Sequence, residues 1–65
     1  MFGVLLKEMK HKGITQVELA KTLGITQKAV SYKLTGGGDF KSEEMFKIQT
    51  ELFPDVDLRT LFTKI

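Results

Sequence analysis

The chain has 65 residues and a formal net charge of +2, with 28% charged residues and no cysteine. At this size a fold buries only roughly 60% of the surface its unfolded chain would expose, so the chain holds one domain with one core and leaves no room for a deep cofactor or small-molecule cleft. The missing thiols exclude disulfides, thiolate zinc sites and thiol catalysis, and with no sign of an oxidising compartment the expected location is the cytoplasm. Apolar runs such as Val4-Leu5-Leu6 are far too short to span a membrane, and no charged stretch leads into a signal-peptide core. The charge is unevenly placed. Residues 1–41 carry seven lysines against Glu8, Glu18 and Asp39, whereas residues 42–65 carry Lys47, Arg59 and Lys64 against five carboxylates, so one half is suited to face a polyanion.

Apolar residues recur at helical spacing along nearly the whole chain, and no stretch alternates apolar and polar as a half-buried strand would. The pattern predicts an all-α fold. In a first helix over 3–12, Leu5, Leu6 and Met9 form the apolar stripe and Gly13 ends it. A second covers 15–23, with Thr15 as N-cap, Glu18 three residues on in the capping-box pattern, and Leu19, Ala20 and Leu23 facing inward. Gly24 stops it, and after Ile25 a third helix over 26–35 is capped by Thr26, turns Ala29, Val30 and Leu34 inward, and breaks at Gly36-Gly37-Gly38. Phe40 is placed to staple a fourth helix over 41–53, with Ser42, Glu43 and Glu44 beside the positive end of its dipole and Met45, Ile48 and Leu52 in its core. Pro54 closes it, and Asp57 caps a fifth over 57–64 that offers Leu58, Leu61 and Phe62. No repeat or linker divides the chain, so residues 1–65 read as a single domain.

The connection between the second and third helices is only about three residues long and contains Gly24, so the two must cross steeply and pack through a small residue such as Ala20. With this geometry the motifs Gly13-Ile14-Thr15-Gln16, Glu18-Leu19-Ala20 and Leu23-Gly24-Ile25-Thr26 resemble the Cro and C1 repressor family of helix-turn-helix proteins. The resemblance continues through Val30-Ser31-Tyr32-Lys33-Leu34-Thr35-Gly36, Asp39-Phe40 and Glu44-Met45, is similar to small phage and prophage regulators, and covers about residues 3–62. It implies a compact five-helix, lambda-repressor-like domain acting as a transcriptional repressor. Such a domain blocks a double-stranded DNA operator, usually an inverted repeat bound by a homodimer, with the third helix in the major groove.

The residues themselves are compatible with that role. At about 100° per residue, Gln27, Lys28, Ser31, Tyr32 and Thr35 share one sector of the third helix opposite Ala29. Glutamine pairs with adenine, lysine donates to guanine O6 and N7, and the serine and tyrosine hydroxyls do either, so Gln27 and Lys28 in the first turn are the leading base readers, with Ser31 and Tyr32 a turn behind. The phosphate-contacting candidates are Gln16 at the start of the second helix, Thr26, Lys10, Lys33 and Lys41, and the backbone N–H groups near Thr35 and Gly36. The bland alternative is an ordinary solvated face, and solvent-facing lysines.

Two positions depart from the family pattern. Lys33 stands where many members have an apolar residue, so Leu34 is expected to take over the packing while the third helix rotates slightly or Lys33 snorkels. Met9 and Leu34 stand where many members pair an arginine with a glutamate, which points to an apolar contact instead.

Other signals carry less. His11 is the only histidine and has no partners at ligand spacing, Asp55 and Asp57 read as capping after Pro54, and the three glycines lack the following Lys-Ser or Lys-Thr of a nucleotide loop. No metal, cofactor or enzymatic activity is expected, and the chain shows nothing like the second, cleavable domain of longer phage repressors. Phe53, Leu61, Phe62 and Ile65 crowd the C-terminal quarter, either as a dimer surface or as the completion of the core. The rival function is an antirepressor or other protein-binding module on the same scaffold, docking through that apolar surface. RNA binding is disfavoured because Tyr32 is the single aromatic on the proposed nucleic-acid face.

Overall fold

Short side chains set where this chain turns helical. Thr15 Oγ1 accepts from the Glu18 N–H at 3.3 Å, Thr26 Oγ1 from the Ala29 N–H at 3.1 Å, and the Asp57 carboxylate from the Thr60 N–H at 3.2 Å. Each satisfies a donor that the first helical turn leaves without a partner. The structure, a computed structural model, describes residues 1–64. Its helices are α1 (Gly3–Lys12), α2 (Gln16–Leu23), α3 (Gln27–Thr35), α4 (Ser42–Leu52) and α5 (Leu58–Leu61), and the described residues contain no strand. At the start of α4 the Lys41 N–H donates to the Glu44 carboxylate at 2.8 Å, one half of a capping box.

The predicted stripes meet in one core. Leu5 and Met9 of α1, Leu19 and Ala20 of α2, Val30 and Leu34 of α3, Ile48 of α4 and Leu61 of α5 are all buried. Met9 and Leu34 lie in the same apolar cluster. No polar or charged side chain is buried among the described residues, so the interior carries no desolvation cost of that kind.

One end of the core is closed by three phenylalanines from distant parts of the chain. The ring centroids of Phe2 and Phe40 are 5.2 Å apart, those of Phe2 and Phe62 5.9 Å, and those of Phe40 and Phe62 5.7 Å, in tilted and edge-to-face arrangements. Such geometry sets the positive ring edge against the negative ring face and adds to simple burial. The Phe2 N–H also donates to the Leu34 carbonyl at 3.2 Å, which supplies a partner for one of the last carbonyls of α3.

Between α2 and α3 the chain turns in three residues. Gly24 takes φ +70°, the Ile25 N–H returns to the Ala20 carbonyl at 3.1 Å, and Ala20 is buried at the crossing. Nothing lies within 4 Å of a Cβ built at Gly24, so it is backbone conformation, not space, that calls for glycine there.

Three expectations change at the C-terminal end. The fifth helix stops at Leu61 instead of reaching Lys64, because Phe62 leaves helical geometry to pack on Phe2 and Phe40 and the Thr63 hydroxyl donates to the Arg59 carbonyl at 2.9 Å. Phe53 and Leu61, considered for a dimer surface, are both 0% exposed and belong to the core. Phe62 is half-buried within the aromatic cluster, and Ile65 lies outside the described residues. Leu58, expected inward, is 37% exposed. No helix among the described residues is long and apolar enough to cross a membrane.

Lys12 joins the end of α1 to the turn after α4 by pairing with Asp55 and lies 5.3 Å from the centre of the Phe53 ring. The hydrogen bond from Lys12, then the residue's own backbone N–H, hold the Asp55 carboxyl below its ordinary value of 3.8. A carboxyl whose pKa falls on folding stabilises the fold above that ordinary value, and the contribution is lost as pH falls through the lower folded value. Asp55→Asn is therefore expected to lower the thermal midpoint slightly at pH 7, by an amount that shrinks as the pH is taken below 3.8, read by circular dichroism. In urea denaturation, Gly24→Ala should cost about 1 kcal/mol. Leu19→Ala should cost about 2–5 kcal/mol, enough to unfold much of so small a domain.

Candidate nucleic-acid interface

α3 is held from within by Val30 and Leu34, both 0% exposed and one helical turn apart. Their burial settles which side chains face out. Gln27, Lys28, Tyr32 and Thr35 are exposed and Ser31 is half-buried, so the outward sector is the one the helical spacing predicts. Ala29 on the opposite side is half-buried. The side chains of Gln27, Lys28, Ser31 and Tyr32 make no hydrogen bond within the described residues. All their donors and acceptors remain available to another molecule.

The phosphate-contacting candidates divide. Lys10 and Lys41 are exposed and form no ion pair among the described residues, and Gln16 sits half-buried at the first turn of α2. Thr26 uses its oxygen as an acceptor for the α3 cap, which leaves its hydroxyl hydrogen free to donate. Three others are engaged internally. The Gly36 N–H donates to the Tyr32 carbonyl at 2.8 Å, and beside it the Thr35 hydroxyl donates to the Ser31 carbonyl at 3.0 Å.

Lys33 is the third. Its ammonium lies 3.3 Å from the Glu44 carboxylate, donates to the Asp39 carbonyl at 3.0 Å and sits 5.9 Å from the centre of the Phe40 ring. Only 19% of its side chain is exposed. Of the two outcomes open at this position, this is the snorkelling one: the stem packs along the core edge while the charge reaches a partner at the start of α4. Lys33 thus ties α3 to the loop and to α4.

Ion pairing also reshapes the electrostatics. Lys12, Lys33 and Lys64 are paired with Asp55, Glu44 and Asp39, whereas Lys10, Lys28 and Lys41 carry charge with no carboxylate in salt-bridge range among the described residues. Sequence reasoning missed two further features. Phe46 on α4 is 62% exposed, and the signal was present: Met45, Ile48 and Leu52 already take the inner face, so a step of about 100° from Met45 turns Phe46 off it. Gln49 donates to the Val56 carbonyl at 3.0 Å and braces the turn after α4, a contact that no spacing rule announces.

No family model, no curated protein and no solved structure matches this chain.

If Lys33 acts through both its stem and its charge, Lys33→Ala should destabilise the domain by about 1–2 kcal/mol more than Lys33→Met, which keeps the packing on Phe40. Equal losses in urea denaturation would mean that the stem contributes nothing.

Proposed function

We propose that this chain is a sequence-specific double-stranded DNA-binding regulator that lays α3 in the major groove and represses by occupying an operator. The single observation that carries this reading is the outer face of α3. Four side chains able to read base edges stand there without internal partners, on a helix whose rotation is fixed from behind by Val30, Leu34 and Lys33. The short α2–α3 connection, the free lysines and the resemblance to Cro and C1 repressors support it.

In this reading Gln27 and Lys28 enter the groove first, because they begin the helix, and Ser31 and Tyr32 follow one turn behind. Thr26, Gln16, Lys10 and Lys41 hold the flanking phosphates, which sets register without reading sequence. The longest Cα dimension of the domain is 26 Å, shorter than the roughly 34–36 Å between half-sites one DNA turn apart. One copy therefore spans a half-site, and an inverted repeat calls for a homodimer on DNA.

Of the surface on which the antirepressor reading was based, Phe53 and Leu61 are interior and Phe62 is half-buried. What favours a protein partner now is exposed apolar side chains outside α3, Phe46, Met1 and Val17 among them.

Selection from a pool of random duplexes, followed by sequencing, tests the proposal. An enriched inverted repeat is the expected result, with affinity that falls steeply as salt rises. Absence of enrichment, or binding to a protein partner that salt leaves unchanged, would favour the rival. On the enriched duplex, Gln27→Ala and Lys28→Ala should each cost about 1–3 kcal/mol with the circular dichroism spectrum intact, and much less on random DNA.

A further inference from the structure

The loop after α3 doubles back over Tyr32. The N–H groups of Gly36 and Gly38 both donate to the Tyr32 carbonyl, at 2.8 and 3.3 Å, so residues 36–38 are held against the side chain they follow. A Cβ at Gly36 would lie 2.8 Å from Cδ1 of the Tyr32 ring, and one at Gly38 would lie 2.6 and 2.7 Å from Cδ2 and Cε2. On both edges the ring occupies space that any other residue would fill with its own side chain. Tyr32 nevertheless remains 61% exposed. A ring wedged on both edges and bare elsewhere is a fixed apolar plate, set among the polar Gln27, Lys28 and Ser31.

We propose that Tyr32 determines specificity for thymine through contact of its ring with the thymine C5-methyl, and that Gly36 and Gly38 are positioning residues that hold the ring for it. The proposal rests on the DNA-binding reading above. Chemistry selects the base: the thymine methyl is the apolar group on the major-groove edge of the base pairs, and Tyr32 is the aromatic side chain on the exposed face of α3. A freely rotating ring would lose side-chain entropy on docking, whereas a ring already seated loses little.

The experiment starts from a duplex recovered by selection and replaces each thymine in turn by deoxyuridine, which deletes the methyl and keeps every hydrogen-bonding group. The protein is expected to bind about fourfold more weakly at one position per half-site, the value of one buried methyl-sized group, and equally at the others. Tyr32→Phe should keep that discrimination and Tyr32→Ala abolish it. Gly38→Ala should bring the thymine-to-deoxyuridine ratio close to one although Tyr32 is still present, because the new methyl displaces the ring. The φ of Gly38 lies outside the left-handed region, so alanine is compatible with the backbone there. A merely structural role for Gly38 would weaken binding to both duplexes alike and leave the ratio unchanged. In the free protein, the Gly36 Cα protons, which meet the ring at its edge, should carry a downfield ring-current shift that both Gly38→Ala and Tyr32→Ala remove. Retained thymine discrimination in folded Gly38→Ala, or no ring-current shift at Gly36 in the unsubstituted protein, overturns the proposal. Failure to enrich any duplex defeats the DNA-binding reading and the reader role together, and the ring-current shift then reports separately whether the seat exists.

Discussion

Everything assigned to the outer face of α3 depends on how that helix is rotated about its own axis, and contacts with the rest of the fold set the rotation. Val30 and Leu34 are fully buried on one side. The Phe2 N–H holds the Leu34 carbonyl near the last turn, and Lys33 reaches across to Glu44 and Asp39. A turn of one residue about the axis, about 100°, would exchange a buried leucine for a lysine or a threonine. The desolvation of that polar group is what keeps Gln27, Lys28, Ser31 and Tyr32 facing out.

Lysine has a double use in this small domain. Lys12, Lys33 and Lys64 each lie within 6 Å of a phenylalanine ring centre, over Phe53, Phe40 and Phe2 respectively, and each also pairs with a carboxylate. A chain of this length has too little interior to cover all its large apolar side chains with other apolar groups. Long cationic stems laid along the rim extend that cover, and the ring faces attract the ammonium groups in return. The lysines so engaged are withdrawn from the set that can meet a polyanion, so the local charge of the α3 face is set by pairing as much as by composition.

What was legible in the sequence is what depends on neighbours a few residues away. Thr15, Thr26 and Asp57 cap helices as their side chains require, the spacing of Leu5, Met9, Leu19, Val30, Leu34 and Ile48 gives the inner faces, and the outward sector of α3 follows from the same period. What escaped depends on partners far along the chain. Phe2 precedes its helix, so periodicity says nothing about it, yet it is buried against Phe40 and Phe62. Crowding of Phe53, Leu61 and Phe62 near one end is consistent with a surface or a core, and only the three-dimensional arrangement separates the two. Lys33 and Glu44 are remote enough in sequence that neither residue advertises the pair. The glycine run reads locally as a turn, which it is, but the seat it forms for Tyr32 depends on absent side chains.

The aromatic cluster places residues near the two ends of the described chain side by side, with the rings of Phe2 and Phe62 5.9 Å apart. Synthesis runs in one direction, so Phe2 leaves the ribosome well before Phe62. Until α5 and the residue after it have cleared the exit tunnel, the nascent chain has helices but no lid on its core, and Phe2 and Phe40 face water or whatever chaperone is at hand. The cooperative step is thereby deferred until Phe62 has emerged, and a chain cut short before Leu61 would keep that apolar end open.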